Sequence, residues 1–297
     1  GRSESYEELQ ESVEKDGEPL GENLAEKFRV RASRQLATCR SLIHQGAEFI
    51  LKSKICEVSP FLLLDNATHW PAEATQQDTD FSEFRTIDAQ FLPRVHDTVC
   101  NPRLSLTFKQ RLEDIRRRRN AVTHGLPTSP MSVEEMLRDI LEIATGLIGP
   151  GSWPKIRRDY EAGWPAPWAD YHGTIPASLM AEFERIVELL KPSECLLHLG
   201  FDKKQRRYFC PDCHAIDVRP EPAIKLAMLR PNTPDSTTLY CLVCDDEKVV
   251  ERSACPECPG NVMCEDECLT CEYRRTNESW NSPEWSPRGG DPPDDQG

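Results

Sequence analysis

Cys210-Pro-Asp-Cys213, Cys241-Leu-Val-Cys244, Cys255-Pro-Glu-Cys258 and Cys268-Leu-Thr-Cys271 all lie between residues 210 and 271. An i,i+3 spacing lets a tight turn aim both sulfurs at one point without distorting the backbone, and two such turns complete a tetrahedral four-thiolate site. The simplest sets are Cys210, Cys213, Cys241 and Cys244 for one ion, and Cys255, Cys258, Cys268 and Cys271 for a second. Cys264 is then spare. It can instead take the place of an outer cysteine, or the pairs can interleave between ions, and spacing does not fix that connectivity. His214 adjoins Cys213 and can replace a ligand, although four thiolates are the preferred set. The chain has 13 cysteines, and an odd total in a sequence with no sign of export favours metal over a disulfide framework. The knuckle spacing favours zinc over an iron–sulfur cluster. All-thiolate sites leave no open position for water, so two structural Zn2+ ions are expected.

Strand-forming residues flank the first two pairs: Tyr208 and Phe209 before one, Thr237 to Tyr240 before the other. This arrangement resembles a zinc ribbon, in which two strand–turn knuckles grip one ion. Residues 201–275 are rich in charge, and ligation there couples metal binding directly to folding. Such a module contacts nucleic acid, a protein partner or its own chain. Lys203, Lys204, Arg206 and Arg207 form a basic approach to the first knuckle, most simply read as a solvated run.

Outside that region the cysteines are scattered. Cys39, Cys56 and Cys100 read as core residues, and Cys195 is ambiguous. The formal charge of −14 argues against general attraction to nucleic acid or anionic membranes. No stretch approaches twenty apolar residues, so no membrane span is expected. The opening Gly1-Arg2-Ser3-Glu4 has no apolar signal core, which makes the cytoplasm the expected location.

Apolar periodicity predicts helices through the first two-thirds. Leu24, Phe28, Leu36, Cys39, Ile43, Ala47 and Ile50 recur at three- and four-residue steps over 22–54, with one gap where the helix can break. A helix over 86–99 meets Pro93, which kinks or restarts it. Phe108, Leu112, Ile115 and Val122 mark another, ended by Gly125 and Pro127. Ser132 and Glu135 have capping-box spacing ahead of Met136, Ile140, Leu141, Ile143 and Leu147. Residues 22–150 therefore read as a helical bundle. Residues 151–200 follow as a connector rich in Trp and Tyr, with one more helix over Leu179 to Leu190. A polar segment (1–21) and an acidic tail (276–297), expected to be disordered, flank the whole.

The clearest local reversal of charge lies at Leu104–Gly125, which holds six Lys or Arg against two Asp or Glu. Basic residues in the last turns of a helix complement its dipole, which is the plain structural reading. Arg119-Asn120-Ala121-Val122-Thr123-His124-Gly125, however, resembles the Arg-x4–6-His motif of the HEPN superfamily. The likeness extends over the helical context of about residues 20–150.

The resemblance implies a mainly α fold, a HEPN-like bundle followed by a small α+β zinc-ribbon-like region. It also implies a metal-independent ribonuclease, of a kind found in toxin–antitoxin and antiviral defence systems. Arg119 and His124 would be catalytic, with Asn120 supporting them, and Arg116, Arg117 and Arg118 would line an RNA cleft. On one helix Arg119 and His124 lie about 140° apart. A helix end, a bend or a symmetric homodimer formed through the helical domain would bring them together. Other members of the superfamily are non-catalytic binding domains, so a silent scaffold whose zinc region grips a protein or nucleic-acid partner is the alternative.

Overall fold

The computed structural model describes residues 22–70, 79–123, 132–163, 174–216 and 224–274. The segments 1–21 and 71–78, His124 with Gly125 and Pro127, the aromatics Trp164, Trp168 and Tyr171, and the tail 276–297 lie outside the described residues. The described chain is mainly helical, with short antiparallel strands confined to the cysteine-rich end. The described residues fall into two compact units, one within 22–160 and 185–203, the other within 161–184 and 204–274.

The first unit is organised on α1 (Glu22–Val58), one unbroken helix of 37 residues. Its inward face places His44, Ala47, Leu51 and Ile55 in the interior. These meet α2 (Leu92–Val99), α3 (Leu106–Thr123) and α4 (Val133–Leu147), whose Leu92, Leu112, Ile115, Ile143 and Leu147 complete one core with Leu63 and Leu104. Pro93 starts α2 rather than kinking it. At the first turn its missing N–H costs nothing, and a short 3-10 turn, Ala89–Phe91, leads in. Ser132 and Glu135 form the expected capping box, each side chain bonding the other's backbone N–H. Gly146 allows α3 and α4 to meet closely, since a Cβ there would lie 2.5 Å from the Phe108 ring.

Two expected core cysteines are not in the core. Cys39 and Cys56 are exposed on α1, Cys100 is half-buried, and Cys195 is buried. Of the stripe that contains Cys39, Ala47 lies in the core and Ile43 and Ile50 pack against it, while Cys39 itself faces outward. Apolar spacing shows that a face exists without showing what covers it.

A charged clamp fixes α3 against α4. Asp139, 3% exposed, accepts from Arg118 Nη2 at 3.1 Å on each oxygen and pairs with Arg111 at 2.9 Å. Arg111 also reaches Glu142 at 2.7 Å. Further along, α5 (Ser152–Ala162), up to Tyr160, and α7 (Pro192–Leu199) lie in the same unit. The Gly151 N–H donates to Leu197, and Thr145 Oγ1 lies 2.7 Å from Nδ1 of buried His198. α6 (Thr174–Leu189) ends on carbonyls that Lys203 satisfies, with Nζ 2.7 Å from Val187 O and 2.5 Å from Leu190 O.

The second unit holds α8 (Pro211–Ile216) and a three-stranded antiparallel sheet of β1 (Ala227–Leu229), β2 (Thr238–Cys241) and β3 (Glu247–Val249). A hairpin of β4 (Met263–Cys264) and β5 (Glu267–Cys268) follows. Phe209 N–H donates to Leu269 O at 3.0 Å and Lys225 Nζ to Thr270 O at 2.8 Å, tying the hairpin region to the sheet region. Strands of two to four residues cannot supply much stability themselves.

The Asp139 clamp gives a direct test. Asp139→Ala removes the carboxylate that Arg118 bonds and one of the two that Arg111 bonds, and should cost about 3 kcal/mol. A denaturant midpoint lowered at unchanged slope would register it.

Candidate functional site

In the first cysteine set, Cys210 and Cys213 flank the start of α8, Cys241 ends β2 and Cys244 lies in the turn before β3. Cys210 and Cys244 sulfurs are 3.7 Å apart, and those of Cys213 and Cys241 are 3.8 Å apart. In the second set, Cys255–Cys271 and Cys258–Cys268 are each separated by 3.7 Å. All four sulfurs within each set lie within 4.8 Å of one another. A tetrahedron with metal–sulfur bonds of about 2.3 Å has edges of about 3.8 Å. The spacing therefore fits one tetrahedral metal per set, and it is far too long for disulfides, whose sulfurs lie about 2.05 Å apart.

The two sets share local construction. Asp245 follows Cys244 with φ 64°, and Glu272 follows Cys271 with φ 64°. Each left-handed residue turns its N–H back four positions, Asp245 to Cys241 O at 3.0 Å and Glu272 to Cys268 O at 2.9 Å. Tyr240 Oη donates to Asp245 Oδ1 at 2.8 Å, anchoring the first turn. Backbone donors also reach sulfur: Val243 N–H to Cys241 Sγ at 3.4 Å and Gly260 N–H to Cys258 Sγ at 3.2 Å. A Cβ on Gly260 would lie 2.8 Å from Thr270 Oγ1 and 2.9 Å from Cys258 Sγ, so the turn requires glycine. Four thiolates around a dication leave a net −2, and N–H dipoles directed at sulfur offset part of it.

Neither alternative ligand joins a set. His214 stacks on Phe209 with ring centroids 5.0 Å apart, while its Nε2 lies 3.9 Å from Glu272 and 4.0 Å from Glu267. Cys264, opposite Glu267 in the β4–β5 hairpin, is outside both groups. The first set is largely buried, whereas Cys258 is half-exposed and Cys271 exposed in the second.

In the helical unit, the arginine run divides by direction. Arg116 grips Glu113 through Nε and Nη2, both at 2.8 Å, and Arg117 Nε reaches the same carboxylate at 2.9 Å. The Arg116 bonds, assisted by Arg117, hold the Glu113 carboxyl down to about 2 despite partial burial. Arg118 turns to Asp139. Arg119 Nη1 donates to Asn120 Oδ1 at 3.0 Å on the last described turns of α3. His124 lies outside the described residues, so the Arg119–Asn120 pair is the part of the motif that the structure describes.

A second histidine faces this helix, and the sequence reading passed over it. His44, 8% exposed on α1, borders a cavity of about 190 Å3 together with Glu48, Gln90, Lys109, Glu113 and Arg116. Burial lowers its pKa most, the charges of Arg119 and Arg116 lower it further, and Glu48 opposes them. Its sequence signal was weak: one histidine at helical spacing from Ala47 and Leu51, where a satisfied core residue is the ordinary expectation. A wider cleft beside it is lined by Arg94, Asp97, Arg103 and Lys109, with Lys109 Nζ 2.7 Å from Asp97.

Compared with known proteins, the chain matches no family model, no curated protein and no solved structure.

Two outcomes follow from this geometry. His44 and His198 both have folded pKa values below 6.5, so they bind protons more readily in the unfolded chain. Their contribution to stability is complete above about pH 6.5 and is lost as pH falls through the folded values. The melting temperature should therefore drop between pH 7 and 5.5, and His44→Gln should flatten that slope. Metal content should be two ions per chain, falling to one in Cys241→Ser. A slow chelator titration should empty the exposed second set first, as followed by elemental analysis.

Proposed function

We propose that the chain is a metal-independent endoribonuclease of HEPN type whose cysteine-rich unit is built on two structural zinc ions. The observation that supports it best is the pairing of Arg119 with Asn120 at the end of α3, where a guanidinium is aimed by an amide beside a cationic helix face. Without metal, RNA cleavage runs through attack of the 2′-oxygen on the adjacent phosphorus. The 2′-proton passes to a base, and the 5′-oxygen leaves with a proton, giving a 2′,3′-cyclic phosphate and a 5′-hydroxyl. His124 is the acid/base group, because imidazole exchanges protons near neutral pH. Arg119 stabilises the charge that develops on the phosphorane, and Asn120 fixes its plane.

Arg117, the most exposed of the run, contacts RNA phosphate, and Arg116 and Arg118 add positive potential from their carboxylate-bound positions. A two-fold homodimer through the helical unit places two Arg–His sets across one cleft. Zinc suits sulfur-only tetrahedral sites and supplies folding energy there, with no part in the reaction. Eight thiolates and two divalent ions add a further −4 to the formal −14, about −18. Such a charge restrains random RNA binding, which suits a toxin or antiphage effector whose cysteine-rich unit selects a target or a protein partner. No described helix is long and apolar enough to cross a membrane, and the cytoplasm is the proposed location.

One observation favours a second reading. Arg116, Arg117 and Arg118 each have carboxylate partners, as a non-catalytic HEPN-like scaffold would require for packing alone.

Cleavage separates the two. Zinc-loaded protein, exposed briefly to EDTA with metal content checked, should cut a mixed RNA pool and leave cyclic-phosphate ends. His124→Ala should lower the rate by about 10²–10⁴-fold, and Arg119→Lys should not restore what Arg119→Ala removes. Unchanged cutting in His124→Ala would refute the site assignment. Absence of cutting across triggers and RNA pools would favour the scaffold.

A further inference from the structure

The cavity beside His44 and the cleft next to it take no part in the proposed reaction. The cavity holds about 190 Å3, and Ala47, Leu51, Leu92, Leu112 and Ile115 give it apolar walls. An apolar cavity of about 150 Å3 holds one benzene ring, so this space has the size of a single ring. Its charged walls are already balanced. Glu48 pairs with Lys52 at 2.8 Å, Glu113 with Arg116 and Arg117, and Lys109 with Asp97. His44 is the exception. It is 8% exposed, borders the cavity and makes no hydrogen bond among the described residues. Buried polar groups are ordinarily paired, and an imidazole left open to a cavity is matched to whatever enters it. Burial, with the charges of Arg119 and Arg116, keeps His44 neutral at pH 7, so one ring nitrogen donates and the other accepts.

The adjoining cleft has the opposite character. Gln90, Pro93 and Lys109 line both spaces, which places the cleft directly beside the cavity. Three cations, Arg94, Arg103 and Lys109, stand there against the single acid Asp97. Asp97 is itself engaged, accepting from Lys109 at 2.7 Å and from the Leu104 N–H at 2.8 Å. Arg94 and Arg103 are exposed and have no carboxylate partner among the described residues, unlike Arg116, Arg117 and Arg118. In a chain of formal charge −14, two arginines left open beside one cavity form a local anion site, and their planar forks suit a carboxylate or phosphate.

We propose that the cavity and cleft together bind a small aromatic acid, with its ring in the cavity, a polar ring substituent on His44 and its anionic group at Arg94 and Arg103. A short aliphatic anion leaves the cavity and His44 unused, and a neutral ring leaves the arginines unused. The site involves none of Arg119, Asn120 and His124, so the inference stands apart from the nuclease reading and each can fail without the other.

The test titrates the zinc-loaded full chain with 4-hydroxybenzoate, benzoate, phenol and acetate, followed by calorimetry and by the rise in melting temperature. 4-Hydroxybenzoate should bind one to one, benzoate about five- to tenfold more weakly for want of the hydroxyl, and phenol and acetate more weakly still. His44→Leu should erase the difference between 4-hydroxybenzoate and benzoate. Ala89→Leu, which fills the cavity from its wall, should weaken both by more than about tenfold. The exposed pair Arg94→Gln with Arg103→Gln, which leaves the core untouched, should do the same and remove the salt dependence of binding. No saturable binding of 4-hydroxybenzoate up to about 10 mM would mean a cavity occupied by water alone and would overturn the proposal. Binding that survives both Ala89→Leu and the arginine pair, or acetate binding as tightly as 4-hydroxybenzoate, would overturn it as well.

Discussion

A helix of 37 residues has two long sides and cannot leave both in water without cost. In the first unit the neighbouring helices meet that constraint on one side of α1. Ala47, Leu51 and Ile55 form a line that α2, α3 and α4 cover together, which gives three otherwise short or polar helices a common partner. α3 is strongly charged along most of its surface, and its few apolar residues, Leu112 and Ile115 among them, gain meaning only against that line. The position of the arginine run therefore depends on α1, because α1 fixes where α3 lies.

The second unit meets a different constraint. Its strands are two to four residues long, and hydrogen bonding across them cannot fix a unique arrangement. Sulfur geometry takes over that role. Two sets of four thiols, separated at the observed edges by 3.7–3.8 Å, restrain four Cys-x2-Cys turns at once. The repeated left-handed residue after the second cysteine, Asp245 in one knuckle and Glu272 in another, shows the same backbone solution used twice. Hydrogen bonds from Phe209 and Lys225 then join the two sets into one body.

The most legible parts of the sequence were those where chemistry acts over three or four residues. The Ser132–Glu135 capping box, the Pro93 start of α2 and the Cys-x2-Cys turns are all of this kind. Features that depend on distant partners were harder to read. Cys39 and Cys56 have the spacing of core residues, yet spacing alone cannot say which of two apolar faces the bundle covers. Arg118 was indistinguishable from its neighbours until Asp139, 21 residues away, was seen to hold it. His44 belonged to no motif, and only the packing of α1 against α3 brought it near Arg116 and Arg119. The short helices α7 and α8 left little trace, since neither is long enough to display a period.

The Asp139 clamp also acts as an angular reference. Successive residues on a helix point about 100° apart. Tethering Arg118 to α4 therefore sets the rotation of α3 at Arg119, turning that side chain away from α4. Glu113 grips two arginines within α3 itself and cannot supply such a reference, because a bond internal to a helix turns with it. A single buried carboxylate on a neighbouring helix thus serves as the index mark from which the aim of the last turns is measured.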